Sequence, residues 1–151
     1  MDRVDWHILA EVQADARLSF NELSRRVRLS APAVADRVRR METDGVITGY
    51  HARVDLDRVG RPVRAIVTMD CYGPTCLLRD PDILTWPEVR HLYRVTGQGC
   101  SVLLVATESI AAFEEVIDRL ARFGRPSSSM VLADLLPWSP APPPADGHHS
   151  P

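Results

Sequence analysis

The stretch Asn21-Glu-Leu23-Ser-Arg25-Arg26-Val27-Arg28-Leu-Ser30-Ala-Pro32-Ala33-Val34-Ala-Asp36-Arg37-Val38-Arg39-Arg40-Met41 contains two short helical patterns joined by a tight polar turn. Leu23 and Val27 stand four apart and share one face of the first helix, with Asn21 placed to cap it. Ser30 is placed to cap the second helix, and Pro32 falls in its first turn, where a missing N–H does no harm. Val34, Val38 and Met41 form the i, i+4, i+7 stripe that must face other helices, and Asp44-Gly45 supplies the stop. This is the pattern of a helix-turn-helix, which lays its second helix in the major groove of DNA.

Charge supports that partner locally. The whole chain of 151 residues carries a net charge of -2, yet Leu23–Arg40 holds six arginines against one acid, Asp36. A basic patch on such a motif is suited to phosphate contact. All eighteen basic residues are arginine, a bias that a GC-rich genome would also produce.

At about 100° per residue, with Val34 at the centre of the buried face, Pro32, Ala33, Asp36, Arg39 and Arg40 point outward. Arg37 and Ser30 lie on the flank. With Arg25 and Arg26 of the preceding helix, these are the expected DNA contacts. Residues near the helix start would meet base edges, and later arginines would meet phosphates. Arg40, or Arg37 after a small rotation, is placed for a forked contact to guanine. Asp36 is expected to pair with Arg40 one turn on, and Ser30 to serve mainly as a cap. Ala33 and Ala35 would offer methyl groups, so that recognition leans on DNA shape.

Outward from this motif, Asp2 is the expected cap of a helix over 3–14, with Asp5 in its first turn and Val4, Ile8, Leu9 and Val12 at helical spacing. Residues 15–19 connect it to the next helix. After Gly45 the period changes to alternation, and Val46–Val54 reads as a short wing and a strand. The first unit is thus placed at 1–50, with a strand and linker over 51–62.

A second unit spans 63–136. Strands are expected over 63–71, 89–96, 100–106 and 128–135, with Gly97-Gln98-Gly99 as a turn. Residues 75–86 are weakly helical. Ser109–Phe123 is a well-patterned helix with Ile110, Phe113, Val116, Ile117 and Leu120 on one side, ended by Gly124. The order βαββαβ predicts a ferredoxin-like α+β sandwich. With so small a unit, its bare sheet face is expected to be buried against a partner. Residues 137–151 are proline-rich and read as a disordered tail.

A hydrophobic share of 45% and a charged share of 25% are those of a soluble globular protein, and no apolar run is long enough to span a membrane. The N-terminus lacks the apolar core of a signal peptide. A cytoplasmic, nucleoid-associated protein is expected. Cys71, Cys76 and Cys100 form no CxxC pair and read as reduced, part-buried thiols; neither a metal site nor a cofactor is expected. No catalytic triad or phosphate loop is present, which argues against an enzyme.

The chain resembles the Lrp/AsnC (feast/famine) family of transcription regulators. The likeness rests on Asp2–Leu9, on Leu23–Ser30 with Val34–Glu42, on Gly45-Val-Ile47-Thr-Gly49-Tyr50 and on Val95-Thr96-Gly97. It implies operator DNA as partner, homodimers built through the C-terminal sheets and assembling to octamers, and an amino-acid or other small-molecule effector at the second unit. Thr96, Gly97, Gln98, Gly99, Cys100 and Ser101 are the positions it assigns to the effector. That stretch has no carboxylate to meet an ammonium, so a polar, neutral ligand fits it better than a free α-amino acid. Two other readings go with the resemblance: an architectural DNA-coating protein, and a tetrapyrrole enzyme like the sirohaem decarboxylases, with His91 as the residue concerned.

Overall fold

The computed structural model describes residues 1–71, 73–136 and 138–144. They fall into two compact units, Met1–Ala52 with the stretch beginning at Leu136, and Arg53–Leu135.

The first unit has three helices, α1 (Arg3–Ala14), α2 (Phe20–Val27) and α3 (Ala31–Thr43). Their inner stripes close on one another: Ile8 and Leu9 from α1, Leu23 and Val27 from α2, and Val34, Val38 and Met41 from α3 form one core with Ile47. Asp2 caps α1 in a capping box completed by Asp5. The cap of α2 is Ser19 and not Asn21. The Ser19 N–H donates to Glu22 Oε2 at 2.9 Å and Glu22 N–H donates to Ser19 Oγ at 3.2 Å. This reciprocal box satisfies two backbone donors, where Asn21 alone would satisfy one. Arg28 closes α2 in the left-handed region, at φ 58°. The chain thereby turns at once into Ser30, which caps α3.

No strand forms over 46–54. Instead the Val46 and Ile47 N–H groups both donate to the Met41 carbonyl, at 2.8 and 3.0 Å, and Ile47 is buried under α3. Their backbone donors are thus spent on the helix end, which leaves no ladder for a wing strand.

The second unit is a four-stranded antiparallel sheet of β1 (Val63–Cys71), β2 (Val89–Arg94), β3 (Ser101–Thr107) and β4 (Gly124–Met130), in spatial order β2-β3-β1-β4. That is the ferredoxin-like order. One face packs Ala65, Val67, Met69, Leu103 and Val105 against Phe113, Val116 and Leu120 of α4 (Ile110–Leu120). The first expected helix is replaced by three 3-10 turns, Gly73–Thr75, Leu77–Arg79 and Pro81–Thr85. Pro74 and Pro81 lack the N–H a helix needs and disfavour helical backbone in the residue before them. Leu77 and Ile83 nevertheless reach the core.

Strand β4 starts at Gly124, four residues earlier than expected, and ends at Met130. Gly124 does not merely end the helix. It pairs with Cys71, and a Cβ there would overlap the Asp70 carbonyl, so glycine opens the strand. Beyond it Val131 still donates to the Arg64 carbonyl at 2.9 Å, but 131–135 form no strand.

Residues 138–144 have no regular structure, yet Ala141 is not free: its N–H donates to Gln13 Oε1 at 2.7 Å and its carbonyl accepts from Gln13 Nε2 at 3.3 Å. His148 and His149 lie outside the described residues. Among the described residues no helix is long and apolar enough to cross a membrane.

Candidate nucleic-acid interface

Helix α3 is held in rotation by one carboxylate. Asp5 is 2% exposed, and its Oδ1 accepts from Arg37 Nη1 at 2.6 Å and from Arg40 Nη2 at 3.1 Å. Its Oδ2 accepts from the Asp2 N–H at 2.9 Å and from Arg40 at 3.2 Å. Arg37 Nη1 also reaches Asp2 Oδ2 at 2.7 Å. Burial pushes the Asp5 carboxyl up, but the Asp2 N–H and the Arg37 guanidinium more than offset it, so its pKa lies below the usual carboxylate value. The Arg37 hydrogen bond likewise holds Asp2 low, and the Asp2 and Asp5 carboxylates raise Arg37.

The structure thus divides the expected contact residues. Arg37, expected on the flank and at guanine only after a small rotation, is clasped between Asp2 and Asp5 at the side of α3. Arg40 shares Asp5 while its side chain stays 56% exposed. Asp36 pairs with Arg39 at 2.7 Å rather than with Arg40, because i, i+3 neighbours meet on the outer face and Arg40 is already turned toward α1. Arg26 is tied to Glu11 at 2.7 Å. Ser30 Oγ accepts from the Ala33 N–H at 3.4 Å. Pro32 is exposed and Ala33 half-buried, whereas Ala35 is buried and offers no methyl group to a partner.

Arg25 and Arg28 are exposed and make no ion pair among the described residues. Arg28 sits at the turn between α2 and α3, next to the Ser30 cap. Helical geometry leaves it out of the expected contacts, and its place in the arginine run is the signal that could have found it. Local pattern makes Asp5 a first-turn acid and nothing more. Its true partners stand 32 and 35 residues away, a separation local pattern does not reveal.

In the second unit the glycine turn joins β2 to β3. The Val95 N–H donates to the Cys100 carbonyl at 3.2 Å, and the Cys100 N–H donates to the Met69 carbonyl at 2.7 Å. A Cβ on Gly99 would lie 2.6 Å from Thr68 Cγ2 and 3.1 Å from the Met69 carbonyl oxygen, so only glycine lets the turn lie this close to β1. Thr96, Gly97 and Gln98 are exposed at its tip, while Ser101 is fully buried. Cys100 is joined to Cys71 as a disulfide, with Cys76 beside it, which corrects the expectation of reduced thiols; all three are part-buried as expected. The sheet ladder brings the end of β1 against the start of β3, and the 3-10 turns return Cys76 to the same point.

The AsnC-type helix-turn-helix model matches residues 1–42, and the Lrp/AsnC ligand-binding domain model matches residues 81–137. The chain is 31% identical to the HTH-type transcriptional regulator LrpC of Bacillus subtilis over 89% of this chain and 94% of that one. The chain belongs to the Lrp/AsnC family of transcriptional regulators. It is 36% identical to the regulator Rv2324 of Mycobacterium tuberculosis, covering 93% of this chain and 97% of that one. The solved structure of B. subtilis LrpC superposes on this regulator with a TM-score of 0.85 at 31% identity, over 89% of this chain and 96% of that one. A Neisseria meningitidis transcriptional regulator solved with L-methionine gives 0.83 at 26% identity, over 94% and 96% of the two chains. As a family member the regulator couples a DNA-binding unit to a ligand-binding domain.

Proposed function

We propose that this regulator binds operator DNA as a homodimer, with α3 entering the major groove and Arg25, Arg28 and Arg39 meeting phosphates along its flank. The observation that carries the reading is the sorting of the arginines. Arg37 and Arg40 are drawn to Asp5 and set the angle of α3, while Arg25 and Arg28 stay exposed around the capped helix start, with no ion pair among the described residues. Pro32, Ala33 and Asp36 face outward with them, and Arg39, paired to Asp36 in the free protein, exchanges that exposed partner for a phosphate at little cost. Arg26, tied to Glu11, has a lesser share.

The second unit pairs with its counterpart through the outer face of the sheet and takes a small polar effector at the Thr96–Ser101 turn. The exposed Thr96, Gly97 and Gln98 offer hydrogen bonds and no carboxylate. The protein regulates and does not catalyse. His91 lies exposed on the sheet, stacked on Tyr93 with ring centroids 5.8 Å apart, and so belongs to the face that meets the second copy.

Fluorescence anisotropy against the DNA upstream of the regulator's own coding frame and against scrambled duplex tests the reading. Sequence preference is expected, and Arg28→Ala should weaken both duplexes alike by about 1 kcal/mol and flatten the salt dependence, as loss of a phosphate contact does. Equal affinity for all duplexes would overturn operator recognition and leave a DNA-coating role.

A further inference from the structure

Three sulfurs from three separate elements meet at one place in the second unit. Cys71 ends β1, Cys76 opens the 3-10 turn at Leu77, and Cys100 precedes β3. Their Sγ atoms all lie within 4.8 Å of one another. Cys76 Sγ stands 2.7 Å from Cys71 Sγ and 3.6 Å from Cys100 Sγ. All three are half-buried, so the cluster is shielded yet reachable. No histidine, aspartate or glutamate among the described residues joins it. Ser101 Oγ stands 3.5 Å from Cys100 Sγ and is fully buried.

We propose that these cysteines form a binding site for a soft, thiophilic metal ion, monovalent copper, in an all-sulfur three-coordinate setting. Thiolates select soft ions, and zinc in a structural site asks for a fourth protein ligand that this cluster does not hold. An ion about 2.3 Å from each sulfur needs the sulfurs about 4 Å apart, a spread that small side-chain rotations of half-buried cysteines supply. The site exists only in the reduced protein. A dithiol reductant opens the Cys71–Cys100 bond: the disulfide takes up two electrons and two protons, and the dithiol leaves as its own disulfide. The three thiols then release three protons as the ion binds.

Occupancy would tie the end of β1, the turn over 73–76 and the start of β3 to one centre, and would compete with the disulfide for the same sulfurs. Because Cys100 also closes the glycine turn through Met69, the ion would pin that turn. This inference does not depend on operator binding and is tested without DNA.

The experiment loads the full-length, reduced regulator anaerobically with Cu(I) and titrates with a chromogenic Cu(I) chelator. One ion per chain is expected. Cys76→Ser should fold like the parent by circular dichroism and lose affinity by at least about 100-fold, since removing a ligand costs no less than disturbing its support. Cys71→Ser should behave alike. Protein oxidised with diamide should bind none, and reduction should restore binding. Less than half an equivalent in the reduced parent, unchanged affinity in a folded Cys76→Ser, or tighter retention of Zn(II) than of Cu(I) would each overturn the assignment.

Discussion

Asp5 shows how one side chain can decide what its neighbours are free to do. At 2% exposure it is a charge that must be paired, and it engages Arg37 from the flank of α3 and Arg40 from its outward-facing set. Helical geometry alone places Arg40 outward and Arg37 on the flank. It cannot show a carboxylate waiting on another helix, because side-chain length lets an arginine reach across a face boundary. Asp5→Asn should therefore destabilise the first unit by about 1.5–3 kcal/mol, the usual worth of hydrogen bonds to a charged group. Arg37→Ala should cost a similar amount through the same contacts, rather than acting on DNA affinity alone. The pH dependence follows from the direction of the shifts. Asp2 and Asp5 both titrate below their ordinary value when folded, so their contribution is complete above about pH 4 and is lost as pH falls through the folded pKa values. Urea unfolding from pH 7 down to pH 3 should show a steeper acid loss in the parent than in Asp5→Asn. Parallel curves would mean that Asp5 contributes nothing through its charge.

Elements whose ends are written in local chemistry were legible: Asp2 and Ser30 cap α1 and α3 as read. Errors fell where two local signals competed. Asn21 and the Ser19–Glu22 box both offer a cap for α2, and the reciprocal pair prevails. Gly124, read only as a helix stop, opens β4, and the closeness of Asp70, a long-range fact, decides it. The stretch after β1 carries apolar residues at workable spacing, but its prolines break it into 3-10 turns. The glycine turn tests how tightly such elements are joined. Gly99→Ala would place a methyl 2.6 Å from Thr68 Cγ2, and β-branched Thr68 on a sheet strand has little room to rotate away. A loss of about 1–3 kcal/mol in urea unfolding is expected, as for overpacking. A stability equal to the parent would show that the turn rides loosely on β1.

For the whole molecule, the α+β class was legible because apolar residues recur at helical spacing over 3–41 and the strands from 63 onward carry strand patterning, although the alternation read over 46–54 forms no strand. The meeting of Cys71, Cys76 and Cys100 was not, since spacings of 5 and 24 residues signal nothing until the sheet register is known. The same register sorts the outer face of the sheet. Ile66 and Leu104 lie opposite each other across β1 and β3, His91 sits beside Leu104, and Tyr93 sits beside Val102. Ile66 is 47% and Tyr93 55% exposed, while the other face of the sheet is packed under α4. Such a row on a small unit is stable in water mainly when covered, and a self-complementary sheet face is covered most simply by its own copy. Ile66→Glu changes a side chain outside the core of the folded unit, so thermal stability of the isolated chain should shift by less than about 0.5 kcal/mol. Two charges brought together at a symmetric interface would oppose association. Sedimentation velocity should therefore show the parent as a dimer or larger and Ile66→Glu as a monomer. Its operator affinity should fall with it, because a monomer engages one half-site where a dimer engages two. If Ile66→Glu sediments with the parent, the outer face is not where copies meet; if it becomes monomeric and still binds the operator as tightly, pairing of half-sites is not how this regulator recognises DNA.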